Sequence, residues 1–253
     1  MKIYTVTTLL LSVVGLTFAN DTIVGGQHAA IGEFPYQVSV QTTSHWCGGS
    51  IIDQNHILTA AHCVDGLSAQ RLRVRAGSLN RSSGGQLVKV SKVITHAGYD
   101  AKSIANDMAI LRLASSLTFG SRVAAVKLPL STDHAPQVGT RCSVTGWGTT
   151  YPGGGSMPSN LLVAYVNIVD HQKCAKEYAD QHPLDDQMIC AGVRAGGKGA
   201  CDGDGGGPLV DASTGKQVGV VSWEPGCGKH NKDGVYASTA AYLDWIRSQT
   251  ARV

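Results

Sequence analysis

Short runs in which apolar and polar residues alternate recur along the chain: Tyr36 to Gln41, Leu72 to Ala76, Leu87 to Val93, Ala109 to Leu113, Leu161 to Val169 and Val218 to Val221. A period of two puts every second side chain on one face, which is the pattern of a half-buried strand. Glycine, asparagine, serine and proline separate the runs, and strands this short and evenly spaced predict an all-β sandwich or barrel. Only the last segment reads as a helix, with Tyr242, Trp245 and Ile246 at i, i+3 and i+4 and Arg247 near its end. The stretch Leu128 to Gln137, with Pro129 and Pro136, divides the strands into two sets of similar length and predicts a link between two β-barrels. The first barrel is placed at about residues 23–130 and the second, with the terminal helix, at about 131–253.

Composition sharpens this picture. Charged residues are 15% of the 253, below the usual share, and the 31 glycines exceed it, as expected of turn-rich β structure. A net charge of +3 is too small to argue for a nucleic-acid partner. Met1-Lys2, the apolar run through Leu16 and Thr17-Phe18-Ala19 have the layout of a secretory signal peptide cut after Ala19, leaving 20–22 as a propeptide. That run falls short of the roughly 20 residues that cross a bilayer, so no membrane association is expected. Export places the chain outside the cell, where cysteines pair, and the odd count of 7 leaves at least one over.

Chemistry concentrates in a few places. Thr59-Ala60-Ala61-His62-Cys63 sets a histidine beside a cysteine, and Asn106-Asp107-Met108-Ala109-Ile110-Leu111 sets a carboxylate at the mouth of an apolar strand. Gly203-Asp204-Gly205-Gly206-Gly207-Pro208 closes a glycine-rich loop that begins at Gly196. Together with Ile23-Val24-Gly25-Gly26 and Ser222-Trp223, these motifs resemble, in order, the trypsin and chymotrypsin family of serine proteases. Within it the chain is similar to the mite group 3 allergens and to the inactivated protease paralogues of the scabies mite. The resemblance spans about residues 23–250 and implies two six-stranded antiparallel β-barrels with a short C-terminal helix.

The resemblance also implies roles. His62 and Asp107 take the places of the triad's base and orienting carboxylate, and Gly205 stands where the motif Gly-Asp-Ser-Gly-Gly has its nucleophile. The N–H groups of Gly203 and Gly205 form the oxyanion hole. Gly199, Glu224 and Gly234 line the specificity pocket, where Gly199 replaces the family's acid, leaving no charge there to pair with a basic substrate, and Glu224 replaces a glycine and sits in or across the mouth, blocking a substrate side chain. Asp202 and Asp233 depart from the family near the same site. Ile23, freed by cleavage after Thr22, pairs with Asp204. The implied disulfides are Cys47–Cys63, Cys174–Cys190 and Cys201–Cys227, with Cys142 unpaired because Asp211 occupies its partner's region.

These departures lead to the expectation that the chain is not an enzyme but a secreted, monomeric binding protein. Its implied partners are host proteins, complement components among them, and no cofactor or metal is expected; the Gly77 to Gly85 loop lacks acidic calcium ligands. Two alternatives stay open: a residual hydrolase in which His62 and Asp107 activate water, and a decoy for protease inhibitors. Arg71, Arg73 and Arg75 alternate with Leu72 and Val74, with Arg81, Lys89 and Lys92 nearby, and offer either an exosite or an ordinary solvated strand face. Asn80-Arg81-Ser82 and Asn20-Asp21-Thr22 are glycosylation sequons.

Overall fold

The computed structural model describes residues 24–133, 135–180 and 182–251. The expected signal peptide, the expected propeptide and Ile23 lie outside the described residues. A two-residue strand, β1 (Gln27–His28), is followed by β2 (Gln37–Gln41), β3 (His45–Ile51), β4 (His56–Thr59), β5 (Arg73–Ala76), β6 (Gln86–Thr95) and β7 (Ala109–Leu113). Strands β2 to β7 close an antiparallel barrel in the order β2-β3-β4-β7-β6-β5. Next come β8 (Arg141–Gly146), β9 (Leu162–Val169), α1 (His171–Tyr178), β10 (Met188–Gly192), β11 (Pro208–Asp211), β12 (Gln217–Trp223), β13 (Gly234–Ser238) and α2 (Leu243–Thr250). Strands β8 to β13 form the second ring, closed by the pairing of β8 with β9, and β1 adds to the outer edge of β9. This is the two-barrel, trypsin-like all-β fold.

The alternating runs all become strands, but the polar positions do not all face solvent. In β2 all five residues are buried, because its polar side turns toward the other barrel. Gln37 bonds Thr145 of β8 and Ser50 Oγ donates to Gln217 Oε1 of β12 at 2.7 Å. Buried polar groups survive at such a seam only because each finds a partner. Strands such as β4, buried at every position, show no alternation and give no period-two signal.

Helix α1 corrects the expectation of a single helix. Its buried residues are only Cys174 and Tyr178, an i, i+4 pair too sparse to stand out. The local signal is its cap: Asp170 accepts a hydrogen bond from the Lys173 N–H at 2.8 Å. Helix α2 belongs to the second half of the chain yet buries Ile246, with Tyr242 at its cap, in the core of the first barrel. His96 of the first half stacks against Tyr242 and Trp245 there, tying the two halves together.

Three disulfides are formed: Cys47–Cys63, Cys174–Cys190 and Cys201–Cys227. Cys142 is a free, fully buried thiol directly opposite Asp211 in the β8–β11 register. Burial foremost, and the Asp211 charge after it, push the thiol up to about 12, so it is an inert core group at neutral pH.

Candidate functional site

His62 follows β4 and is held by its neighbours: Ala60 and Ala61 are fully buried, Cys63 is cross-linked to Cys47, and the Trp46 indole donates to the Cys63 carbonyl at 2.8 Å. Asp107 stands just before β7, buried to 1%, with Asn106 in a left-handed conformation (φ 55) turning the chain into position. Three donors converge on its carboxylate: the His62 N–H at 2.8 Å, His62 Nδ1 at 2.7 Å and Ser222 Oγ at 2.6 Å. A buried carboxylate held this way accepts a proton-bearing Nδ1, which leaves the lone pair of the imidazole on Nε2. His62 is thereby set as a base, its side chain one third exposed to the cleft. Ser222 is committed to Asp107 and serves as part of its support.

The Nε2 atom faces Gly205. A Cβ placed on Gly205 would lie 2.6 Å from Nε2 and 3.1 Å from Cε1, so the ring leans into the space that a side chain at 205 would occupy. The backbone at Gly205 lies outside the left-handed region, and an L side chain there would require only that the imidazole retreat. Gly206 differs: its φ is +78 and a Cβ would fall 2.1 Å from Thr59 Oγ1 and 2.7 Å from the Gly48 carbonyl, so only glycine fits. Across from the base, neither the Gly203 nor the Gly205 N–H meets an acceptor among the described residues. The loop that carries them is fixed by His45 Nε2 at 3.0 Å from the Gly203 carbonyl and by the Gly48 N–H donating to the Gly205 carbonyl at 2.8 Å. Burial pulls His45 down to about 4, so the ring is neutral there. A lone histidine carried no motif in the sequence, and its link to this loop becomes visible only in three dimensions.

Asp204 is fully buried and accepts from the N–H groups of Gly148 at 2.7 Å and Cys201 at 3.0 Å. Burial foremost raises it to about 7. Ile23, its implied partner, is outside the described residues. The segment just after it packs on the loops around Gly197 and Gly228: Val24 Cγ1 would be 3.1 Å from a Cβ on Gly228, and a Cβ on Gly25, at φ +64, would run into the Gly197 carbonyl.

Glu224, expected in or across the pocket mouth, lies on the loop after β12 and turns its carboxylate toward Gly199, its Oε2 3.9 Å from where a Cβ on Gly199 would stand. A Cβ placed on Gly234, at the start of β13, would lie 3.2 to 3.3 Å from the Tyr236 hydroxyl and ring. A cavity of about 260 Å³ joins this region to the base: His62, Gly203, Gly205, Ser222, Asp202 and Glu224 are among its lining. Asp202 and Glu224 are the acids of its lining and no Lys or Arg is among it, so the cleft favours a cation once Glu224 is ionised.

Burial foremost, followed by the charges of Asp204 and Asp202, raises Glu224 to about 8. The group is therefore largely protonated at pH 7 and becomes an anion as pH climbs through 8. Binding of an amidinium probe such as benzamidine, which needs the anion, is expected to tighten by about tenfold per pH unit below pH 8 and to level off above it. Glu224→Gln should flatten the profile; a flat profile in the unaltered protein would remove Glu224 from the pocket's chemistry.

Among the described residues, the groupings dense enough in ligand types for a metal are Cys47, His62 and Cys63, and Cys201, Asp202 and Cys227. In both, the sulfurs are tied up in disulfides and offer no thiolate. No helix among the described residues is long and apolar enough to cross a membrane.

Comparison with known proteins agrees with this geometry. The family profile described as Trypsin matches residues 23–246. The chain is 45% identical over 235 residues to Trypsin Blo t 3 of Blomia tropicalis, covering 92% of this chain and 87% of the relative. It is 47% identical over 228 residues to Trypsin alpha of Drosophila melanogaster (89% and 86% covered) and 48% identical over 226 residues to Trypsin beta of Drosophila erecta (88% and 87% covered). These names overturn the expectation that the chain is not an enzyme: the relatives it matches along nearly its whole length are named as trypsins.

Proposed function

Since the chain belongs to the trypsin family of serine proteases, we propose that it is a secreted hydrolase that holds a cationic side chain against Glu224 and cleaves the adjoining acyl bond with water as the nucleophile. The observation that supports this reading is the His62–Asp107–Ser222 arrangement, whose Nε2 faces the cleft beside Gly205. Export is supported by the Met1 to Ala19 pattern and by three disulfides, which persist in oxidising compartments.

The step balances without a covalent intermediate. His62 Nε2 takes a proton from a water in the cleft, for which the cavity has ample room, and the resulting hydroxide attacks the acyl carbon. Negative charge grows on the acyl oxygen, where the Gly203 and Gly205 N–H groups donate to it. The imidazolium, stabilised by Asp107, then returns the proton to the leaving amine, giving a free acid and an amine. Without a nucleophilic side chain, a triad site of this kind retains only about 10³ to 10⁴ over water, which sets the scale of the expected rate. The acidic lining supports a cation-bearing peptide as the substrate class of this reading.

Hydrolysis of an arginine ester tests the reading. Product should accumulate linearly from the first turnover, with no burst and no acyl adduct in the intact mass; a burst equal to the enzyme concentration would point to a covalent nucleophile elsewhere in the cleft.

A further inference from the structure

Away from the cleft, a second concavity of about 180 Å³ opens on the first barrel. Arg73, Arg75 and Arg81 line it together with Gln41, Ser44 and Leu87, and no carboxylate is among its lining residues. Two of the guanidinium groups are placed by β5 itself: Val74 and Ala76 are buried in the barrel, so the alternate residues Arg73 and Arg75 share the outer face. Arg81 arrives from the following loop, its Nε donating to the Pro158 carbonyl at 3.1 Å. Arg71 corrects the sequence expectation, since it ends a 3-10 turn (Ala69–Arg71) before the strand begins, and Arg81 takes its place in the cluster.

The contacts of the three side chains are all with backbone oxygens. Arg75 Nη1 donates to the Gly84 carbonyl, and Arg73 Nη2 makes a long 3.4 Å contact with the Thr42 carbonyl. Arg75 Nε is buried with no acceptor. Three fixed positive charges therefore converge on one hollow with no counter-ion, and one buried N–H is left needing an oxygen, an arrangement that a fork-shaped contact to a tetrahedral oxyanion completes. Lys89 stands opposite Arg73 in the β5–β6 register, and both it and Arg71 are exposed, so the positive surface runs on from the hollow along the strand.

We propose that this hollow is an anion-binding exosite for a sulfated polysaccharide, with one sulfate seated among Arg73, Arg75 and Arg81 and the chain continuing past Lys89 and Arg71. The linear run of charge fits a repeating polyanion better than a single phosphorylated residue, and the extracellular setting of the proposed function is where sulfated chains are met.

The test is calorimetric titration of the full-length secreted protein with a heparin-derived octasaccharide over a range of salt concentrations. Arg73→Ala/Arg75→Ala/Arg81→Ala should lose at least about tenfold in affinity and show a shallower salt dependence, since fewer charges are neutralised. Changing all three to lysine should fall between the two, because charge is kept and the fork geometry lost. Lys176→Ala/Arg247→Ala, on the two helices, should bind as the unaltered protein does, and unchanged thermal unfolding shows that the variants are folded. Binding by the triple alanine variant within twofold of the unaltered protein would overturn the site, as would an equal loss in the helix control. Tighter binding of a phosphopeptide than of the octasaccharide, or equal binding of the desulfated chain, would overturn the assignment to a sulfated polysaccharide.

Discussion

Gly205→Ser is expected to raise the hydrolysis rate of an arginine substrate by about 10³-fold or more, close to 4 kcal/mol of transition-state stabilisation. Everything a serine needs there is in place. The backbone at 205 accepts an L side chain, His62 Nε2 points at the position with its lone pair, and the two N–H groups of the oxyanion loop are unengaged among the described residues. Removing the serine from a complete triad costs up to about 10⁶ in kcat, so its restoration has ample range to act. The rate should appear with a burst, because the route becomes covalent. The imidazole must withdraw from the 2.6 Å approach that it makes to the Cβ position, a movement of one exposed ring edge rather than of backbone. An unchanged rate in a folded Gly205→Ser variant would mean that the ring cannot withdraw, and that the polar arrangement around His62 is not a working base.

Asp107→Asn, made in the Gly205→Ser background, is expected to abolish that gain, since losing this carboxylate costs the family's triad about 10⁴ in kcat and that scale is carried over to this site. The reason lies in the donors. Asp107 accepts from His62 N, His62 Nδ1 and Ser222 Oγ, and an amide replaces one acceptor oxygen with an NH₂ that must face one of those donors or turn the ring to its other tautomer. A ring with its proton on Nε2 is no base. Stability should change far less than rate, because the packing around position 107 is preserved. Retention of full activity would show that Asp107 merely props the loop, and comparison of kcat with KM separates the two, since only kcat should fall.

Much of this architecture was legible in the sequence. Alternation marked the strands with one solvated side, and the prolines at 129 and 136 marked the break between the two strand sets. What escaped was whatever depends on the seam or on a long-range contact. Strand β4 is buried on both faces and has no period; α1 relies on a cap and a disulfide in place of an apolar stripe; His45 is recruited to the oxyanion loop by a residue 158 positions away. At the site, the resemblance to the family's motifs brought His62, Asp107 and the glycine loop into one constellation, but it could not give the direction of a side chain. Gly199 read as a lost charge and Glu224 as an occluding acid, and nothing in the sequence could show that the Glu224 carboxylate turns toward Gly199. The same limit applied to the arginines, where alternation correctly paired Arg73 with Arg75 but assigned Arg71 the place that Arg81 holds.

The central claim is that His62 acts as a base toward water in a cleft that accepts a cationic side chain. Its most direct test is the turnover of an arginine-amide peptide by the processed protein, measured beside His62→Ala prepared in the same way. Slow hydrolysis above the buffer rate that disappears in His62→Ala is the predicted result. Hydrolysis that is absent, or that survives the loss of His62, would contradict it.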